Sequence, residues 1–312
     1  MNVHERDSMT NPIKVEPFLR WAGGKRKLTP IIHAMLPKNF SLGKNRFFEP
    51  FAGSAAVALS LAAEIPNTSV VRGSSIFLSD LNEEIINAFL VLQRHPGDLI
   101  EKLRPLQDRN NERDFYKIRE STPSEPIARA ARFIYLNRSC FNGLYRENSD
   151  GKFNVPYGHL VNPVICNEPL LRAVSQWLAR VAISKRSFHS AVEMSRAGDV
   201  VYFDPPYLPL SSTSSFSQYD ASGFSEVSHG ALAGAIRLLK KRRVGVILSN
   251  SDCAATRDIY SSCGLTMRTV RVRRNISAKG SSRVKVRELL AFSYPLRECR
   301  DPEMVADLTR PS

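Results

Sequence analysis

Asp204, Pro205, Pro206 and Tyr207 combine a carboxylate, a rigid turn and an aromatic ring in four consecutive positions. Proline has no N–H to donate, so the turn ends any sheet ladder and leaves the Pro205 carbonyl able to accept a hydrogen bond. Asp204 and that carbonyl can together accept both hydrogens of an exocyclic amine, while Tyr207 stacks on the ring that carries it. These groups suit a planar amino-base better than a sugar or a peptide.

The residues just before this turn, 200–203, are apolar and rich in β-branched and aromatic types. Such a run is typical of a buried strand in a parallel sheet. In open α/β sheets, ligands bind beyond the carboxyl ends of the strands, where Asp204 is expected to lie. A strand followed by an ordinary proline turn is the alternative interpretation of this stretch taken by itself.

Two further stretches favour a nucleotide-binding sheet. Residues 46–64 predict a strand, a turn at Gly53 and a helix, and residues 75–80 predict a second strand that ends at Asp80. A turn of this kind holds a cofactor near a helix N-terminus, and a carboxylate at the next strand end can accept from ribose hydroxyls. Upstream, the paired glycines before Lys25 allow close backbone approach to a ligand, and Lys25 can reach an anionic group.

The strand–helix alternation is interrupted after a predicted amphipathic helix at 82–95 and resumes at 169. The interruption contains helical patterns at 113–120 and 126–136, then a long polar loop over 137–158. Aromatic and basic residues alternate in that loop, which favours nucleic-acid contact. A compact loop with an aromatic core of its own is the alternative.

Beyond residue 169 the sequence predicts further helices and strands, with strands at 244–250, 266–274 and 286–294. A serine-rich stretch over 208–225 is expected to form a loop above the site. The last two strands flank a basic loop over 274–283, which is too polar to be buried. Residues 1–13 and 296–312 are expected to be flexible tails.

Composition restricts the class of protein. The chain has a formal net charge of +14, with 43% hydrophobic and 24% charged residues, as in an ordinary globular protein. Residues 14–46 carry eight Lys and Arg against one Glu, and residues 266–300 carry ten against two, so a polyanion partner is expected. The polar N-terminus, the lack of a membrane-length apolar run and five scattered cysteines predict a cytoplasmic protein without membrane or metal. The sequence does not define the oligomeric state, and a monomer is the expectation.

With these motifs in their observed order, the chain resembles the DNA adenine methyltransferases of the Dam group over residues 18–294. The motifs are Trp-Ala-Gly-Gly-Lys at 21–25, Glu-Pro-Phe-x-Gly at 49–53, Asp80, the segment 137–158, Asp-Pro-Pro-Tyr at 204–207 and Arg-Arg-x-Ile-Ser at 273–277. Two positions depart from the family pattern: Ala55 replaces a usual second glycine, and Ser187 replaces a frequent acid. The Ala55 methyl group is expected to be tolerated beside the cofactor.

The resemblance implies an α/β fold with a doubly wound, mostly parallel, Rossmann-like methyltransferase sheet. Residues 14–82 and 167–295 are then the catalytic domain that binds S-adenosylmethionine. Residues 83–166 are an inserted, mainly helical target-recognition domain that binds double-stranded DNA. The interruption of the strand–helix alternation falls in the same part of the chain.

The resemblance also implies an adenine-N6 reaction on a flipped base, within the sequence GATC, and it assigns residues to three roles. The catalytic residues are Asp204, Pro205, Pro206 and Tyr207. The cofactor-binding residues are Trp21, Lys25, Glu49, Phe51, Gly53, Asp80 and Asp204. The DNA-binding residues are Arg20, Arg138, Phe141, Asn142, Leu144, Arg146, Pro156, Arg274, Lys279 and Arg283.

Three alternatives to a GATC-specific enzyme stay open. The chain can be the methyltransferase of a restriction–modification pair that reads a related, longer site such as GATATC. It can be a non-catalytic DNA-binding module on the same scaffold, although the intact motif at 204–207 argues against that. It can also methylate RNA or protein, although the segment 137–158 favours duplex DNA.

Overall fold

The computed structural model describes residues 15–21, 23–64, 74–208, 224–273 and 285–308. The expected N-terminal tail, most of the serine-rich loop, and the predicted DNA contacts Arg274, Lys279 and Arg283 lie outside these ranges. The strands are β1 (Phe47–Glu49), β2 (Ile76–Asp80), β3 (Val181–Lys185), β4 (Val200–Phe203), β5 (Gly245–Ser251), β6 (Thr266–Arg273) and β7 (Lys285–Phe292). The helices are α1 (Thr29–Met35), α2 (Ala56–Ser60), α3 (Glu83–Arg94), α4 (Pro96–Gln107), α5 (Glu112–Glu120), α6 (Pro126–Ser139), α7 (Glu168–Leu178), α8 (His189–Met194), α9 (Glu226–Lys241), α10 (Ala254–Ser261) and α11 (Pro302–Asp307).

The seven strands of the described residues form one sheet, in the order β3-β2-β1-β4-β5-β7-β6. The pairs from β3 to β5 are parallel, and β7 runs antiparallel to both of its neighbours. The strand order changes direction between β1 and β4, which is the switch point of a doubly wound sheet. The predicted α/β, mostly parallel fold is therefore confirmed.

Consecutive strand residues pack on opposite faces of the sheet. Phe47 joins a buried cluster with residues of α1, α3 and α7, while its neighbour Phe48 joins a second cluster with residues of α8, α9 and α10. This two-sided burial explains why the parallel strands are continuous apolar runs rather than alternating ones.

A buried ion pair lies at the edge of the sheet opposite the carboxyl ends of the parallel strands. Asp199, just before β4, is 1% exposed, and its carboxylate accepts from Arg46 Nε at 3.0 Å and Nη2 at 2.7 Å. It also accepts from the backbone N–H groups of Arg46 and Arg196. These contacts join the chain before β1 to the chain before β4.

The helices of the segment 83–166 continue the core of the sheet. Helix α3 contacts α6 and α7 as well as β2 and β3. One cluster of buried residues includes Phe89 of α3, Phe115 of α5 and Tyr135 of α6 together with Phe47 of β1. The predicted boundary at residue 83 therefore falls within one continuous core, and the division into a catalytic and a target-recognition domain stays a prediction.

Two sequence expectations need correction. Helix α4 was not predicted, because Pro96 at its start and Pro105 near its end are typical of loops; Pro96 occupies the first turn, where its missing N–H has no helical partner. The expected C-terminal tail is wrong for residues 296–308, which form a short 3-10 helix and α11. Val305 of α11 is fully buried, and α11 contacts α1.

Candidate active site

The carboxyl ends of four neighbouring strands bring polar side chains to one edge of the sheet. Glu49 ends β1, Asp80 ends β2, Asp204 follows β4, and Ser249 lies near the end of β5. Since β1 and β4 flank the switch point, the edge between them is the crevice where such sheets bind ligands. The sequence predicted three of these four residues and missed Ser249.

Two donors orient the Asp204 carboxylate through a single oxygen. Lys25 Nζ lies 2.8 Å from Oδ1, and Ser249 Oγ donates to the same atom at 2.9 Å. The fully buried Tyr202 hydroxyl lies 2.7 Å from Ser249 Oγ and supports it from below. Among the described residues, no donor is recorded on Oδ2, and the side chain is 21% exposed. Oδ2 can therefore accept a hydrogen bond from a ligand.

Lys25 uses all three of its donors within the protein. Besides Asp204, its ammonium contacts the Gly23 carbonyl at 2.7 Å and the Tyr207 hydroxyl at 2.8 Å. Its side chain is 4% exposed, and the ammonium lies 4.9 Å from the centre of the Tyr207 ring. The anionic group that Lys25 reaches is thus the carboxylate of the chain itself, and its predicted contact with the cofactor stays a prediction.

Tyr207 is held by a residue that the sequence analysis did not identify. Its hydroxyl donates to the carboxyl group of Glu288, which lies on β7 and is 4% exposed. Pro205 is buried and Pro206 is half-buried, so the turn between Asp204 and Tyr207 is packed as well as stiff. A charged residue next to the apolar run 289–292 was the available signal for Glu288.

The turn after β1 is closed by Asp80. The Gly53 N–H donates to Asp80 Oδ2 at 3.0 Å, and the Asn82 N–H donates to Oδ1 at 2.9 Å. Burial raises the pKa of Asp80, and these backbone donors oppose the rise because they stabilise the carboxylate. The two predicted cofactor residues Gly53 and Asp80 are therefore in direct contact.

Gly53 also contacts the Trp21 indole and has a left-handed backbone, with φ +47°. A Cβ at this position would lie 2.7 Å from Trp21 Cδ1, which is closer than side chains approach in proteins. Trp21 stacks in turn on Tyr145, with ring centroids 5.6 Å apart. Trp21 thus joins the turn at Gly53, where the cofactor is predicted to bind, to the segment 137–158. That segment is predicted to read the DNA sequence and is here called the reading segment.

Replacing Gly53 with alanine is expected to destabilise the protein by about 2 kcal/mol or more, from left-handed strain and the clash with Trp21. Urea unfolding measures this loss, and tryptophan fluorescence reports the displaced indole. Gly97→Ala is the matched control, because no atom lies within 4 Å of a Cβ there. A Gly53 variant as stable as the Gly97 variant would contradict the close packing against Trp21.

Ala55 has the backbone conformation of a glycine. Its φ is +53°, it precedes helix α2, and its side chain is fully buried. An alanine in this region costs roughly 1–2 kcal/mol, which the burial of its methyl group, about 0.8 kcal/mol, offsets in part. The departure from glycine at this position is therefore accommodated in the fold.

Glu49 is a buried carboxyl group close to Asp204. It is 3% exposed and accepts from the Ala58 N–H of helix α2 at 2.8 Å. Burial raises the pKa of Glu49 to about 8, and the negative charge of Asp204 adds to the rise. Glu49 is therefore largely protonated in the folded protein at neutral pH.

Glu49 predicts a pH dependence of folding. Its pKa is 4.5 in the unfolded chain and about 8 when folded, so stability is greatest below the first value and is lost as pH rises towards the second. Glu49→Gln keeps the acceptor for Ala58 but cannot ionise. Between pH of about 5 and 8, the wild type is expected to lose a few kcal/mol more unfolding free energy than this variant, measured in urea. If the unfolding free energies of the wild type and of Glu49→Gln change in parallel with pH, the raised pKa of Glu49 is refuted.

Phe51 follows strand β1, two residues before Gly53, and belongs to an aromatic cluster. Its ring stacks on Phe188 at 5.9 Å and packs edge-on against Phe203 and Phe224. Ser187, which precedes Phe188, is half-buried, and its carbonyl accepts from Ser190. This cluster borders the same sheet edge as Glu49.

Arg146 lies on a short hairpin of the reading segment. The backbone N–H of Asn154 donates to the Arg146 carbonyl at 3.0 Å, and Arg146 Nε donates to the Asn154 side chain at 2.7 Å. The guanidinium is exposed and yet held at its base. A planar fork held in this way is oriented for bidentate recognition.

A tight turn at Phe141–Gly143, here called the reading turn, carries or adjoins most of the other residues that are predicted to read the DNA sequence. Phe141 is 39% exposed, and its N–H donates to the Pro156 carbonyl at 2.9 Å. Asn142 has φ +55°, and Leu144 is half-buried. The structure therefore places Phe141, Asn142, Leu144 and Pro156 close together, with Leu144 packed against the core.

The two remaining arginines differ in their surroundings. The backbone of Arg20 bonds the Asn137 side chain at 2.8 and 2.6 Å, and Gly143 packs on the Arg20 side chain. Arg20 thus lies beside the reading turn. Arg138 donates to the Val164 carbonyl at 2.8 Å, and burial lowers its pKa to about 10. That contact gives Arg138 a structural role, and its DNA contact stays a prediction.

In the part of the chain that the structure describes, no helix is long and apolar enough to span a bilayer. The same residues contain no group of three or more His, Cys, Asp and Glu side chains that can hold a metal ion.

Comparison with known proteins gives concordant matches. The model of the D12 class N6 adenine-specific DNA methyltransferase family matches residues 21–276. The type II methyltransferase M1.LlaDCHI of Lactococcus lactis subsp. cremoris is 36% identical over 292 residues, 91% of this chain and 97% of that protein. The DNA adenine methylase of Serratia marcescens is 37% identical over 288 residues, 89% of this chain and 98% of that protein. The type II methyltransferase and the DNA adenine methylase are thus about equally similar to this chain.

Proposed function

Because the chain belongs to the D12 class of N6 adenine-specific DNA methyltransferases, we propose that it methylates a flipped adenine in GATC with S-adenosylmethionine. Methylation of adenine N6 in DNA is the reaction of this class. The methyl donor, the flipped base and the recognition sequence are the parts that we propose. The observation that carries the proposal is the Asp204 carboxylate, held through Oδ1 at the switch point beside Tyr207.

The residues around Gly53 fit S-adenosylmethionine. The left-handed glycine lets a ligand approach the backbone, and Asp80 keeps lone pairs for ribose hydroxyls beyond those used by Gly53 and Asn82. Trp21 and Phe51 supply apolar walls on either side of that turn. When bound, the cofactor supplies a methyl group on a positively charged sulfur. Glu49, neutral at pH 7, adds no charge to this pocket.

Asp204 and Pro205 act on the amine. The lone pair of the adenine amino nitrogen is delocalised into the ring, so the nitrogen is a poor nucleophile. Hydrogen bonds from its two hydrogens to Asp204 Oδ2 and the Pro205 carbonyl draw the lone pair back onto nitrogen. Tyr207 stacks on the ring and fixes the direction of attack. As the N–C bond forms, the sulfur–methyl bond of the donor breaks, and nitrogen gives up one proton, for which the Asp204 carboxylate that accepts its hydrogen bond would be an acceptor.

The target base must leave the duplex to reach these groups, because its amino group is otherwise paired and stacked. Flipping costs a few kcal/mol, and side chains that fill the vacated space reduce that cost. Phe141 and Asn142 sit at the tip of the reading turn and are suited to this role.

The GATC assignment rests on the reading segment. The exposed fork of Arg146 suits the O6 and N7 atoms of guanine in the major groove. Leu144 and Pro156 supply apolar contacts for a thymine methyl group, and Arg20 lies beside them for the first guanine. A methyltransferase of a restriction–modification pair that reads a related, longer site such as GATATC is the second candidate.

The test is methyl transfer from radiolabelled S-adenosylmethionine to matched duplexes that contain GATC, GATATC or neither, with RNA and protein offered as alternative acceptors. Nucleoside mass spectrometry then identifies the methylated base. N6-methyladenine in the GATC duplex alone is the expected result. Labelling of GATATC alone assigns the longer site, whereas labelling only of RNA or protein, or of nothing, contradicts the proposal.

A further inference from the structure

Glu288 brings a carboxyl group to the candidate active site from the far end of the sequence. It lies on β7, opposite Ser251 of β5 and Val270 of β6. Because β7 is antiparallel to β5, the early residues of β7 reach the edge where the parallel strands end. Glu288 is 4% exposed and precedes the buried Leu289 and Leu290. A carboxyl group in this position needs a polar partner.

One such partner is Tyr207, the last residue of the turn over 204–207. The phenol donates to Glu288 and accepts from Lys25 Nζ at 2.8 Å, so the three groups form a directed series. Lys25 continues the series to Asp204 at 2.8 Å. Glu288 is thus two hydrogen bonds away from the ammonium that orients the Asp204 carboxylate.

The direction of these bonds depends on Glu288. A phenolic O–H rotates about its C–O bond and can point towards any acceptor. With Glu288 as acceptor, the hydrogen points away from Lys25, and an oxygen lone pair faces the ammonium. The same bond restricts the Tyr207 ring to one orientation at the place where it stacks on a base.

We infer that Glu288 is a positioning residue that acts through the Tyr207 hydroxyl to hold Tyr207 and Lys25 in their working orientation. The inference rests on the proposed function, since it assigns Glu288 to the site that receives the adenine. Glu288 forms no bond with substrate or cofactor in this role. Through this orientation Glu288 affects the rate of the chemical step, and it does not affect the affinity for the duplex.

The experiment compares single-turnover methyl transfer at saturating cofactor and duplex. Glu288→Ala is expected to slow the reaction about tenfold, because a small misplacement of reacting groups has a large effect. Glu288→Gln keeps an oxygen that accepts from Tyr207 and is expected to stay within about threefold of wild type. The dissociation constant for the duplex is expected to change less than about twofold in both variants.

A double-mutant cycle separates positioning from general support of the fold. Tyr207→Phe keeps the stacking ring and removes the hydroxyl through which Glu288 acts. In that background Glu288→Ala is expected to slow the reaction by less than about twofold further. Asp199→Asn is the matched control, since Asp199 is equally buried but lies at the opposite edge of the sheet. It is expected to lower the melting temperature and leave the single-turnover rate unchanged.

Three results would each overturn the inference. The effects of Glu288→Ala and Tyr207→Phe on the rate could be fully additive, or Glu288→Ala alone could leave the rate unchanged. The rate of Glu288→Gln could also be as low as that of Glu288→Ala. A wild-type protein without methyl transfer would instead overturn the proposed function. The two failures are distinguishable because the Glu288 comparison is a ratio to an active wild type.

Discussion

Asp204→Ala is expected to abolish methyl transfer while duplex affinity stays within about a few-fold of wild type. In the proposed mechanism the carboxylate accepts from the target amine in the chemical step, whereas affinity is expected to come mainly from contacts to phosphates. Single-turnover labelling of GATC measures the first quantity, and titration of a fluorescent duplex measures the second. A variant that keeps one tenth or more of wild-type turnover at saturation would contradict the role of Asp204.

The same substitution has a second, separable effect on folding. Lys25 is 4% exposed and loses its only recorded carboxylate contact among the described residues when Asp204 is removed. A buried ammonium left in this way costs about 3–5 kcal/mol. Asp204→Asn is the matched variant, because its amide oxygen still accepts from Lys25. We expect both variants to lose methyl transfer and mainly the alanine variant to lose unfolding free energy. That result would separate the role of Asp204 in the reaction from its role in folding.

Arg146→Ala is expected to remove the preference for one guanine of the GATC site. A bidentate arginine–guanine contact contributes about 1–3 kcal/mol of discrimination, so sites altered at that base should be methylated almost as well as GATC. The measurement is the ratio of kcat/KM for GATC and for the duplex with that guanine replaced. The hydrogen bond from Arg146 to Asn154 suggests that the fork loses little freedom on binding.

Lys152→Ala is the control for Arg146, since Lys152 is exposed on the same hairpin. A lysine that contacts only phosphate lowers affinity for all sequences evenly and leaves the base preference intact. If Arg146→Ala keeps the full preference for guanine, or if Lys152→Ala loses it, the assignment of Arg146 fails.

The sequence predicted the strand ends well because local signals define them. Val200 to Phe203 form an apolar run, and two prolines stop it at Asp204; the turn at Gly53 and the acid at Asp80 are equally local. Each of these positions carries its own signal in neighbouring residues. The sheet edge and most of its acids were therefore predictable.

The contacts among these residues were not predictable, because they join distant parts of the chain. Lys25 and Tyr207 are 182 positions apart, and Tyr207 and Glu288 are 81 apart. No local pattern shows that the antiparallel β7 returns Glu288 to Tyr207. Asp80 was expected to face a ribose, whereas its first partners are backbone N–H groups of the turn. Tertiary placement, not propensity, determines these pairings.

The continuous core beneath the reading segment limits how such an enzyme can be re-engineered. Phe89 of α3 and Trp177 of α7 are buried in the same cluster as Phe47 of the sheet, so exchanging the whole insertion for that of a relative replaces half of a packed interface. Within 141–157, Phe153, Val155 and Tyr157 are buried in this same cluster, whereas Phe141, Arg146 and Pro156 are exposed at the surface. Chimaeras designed for a new recognition sequence should therefore be joined at Cys140 and Gly158, where the two ends of the segment meet, and should keep the buried side chains between them.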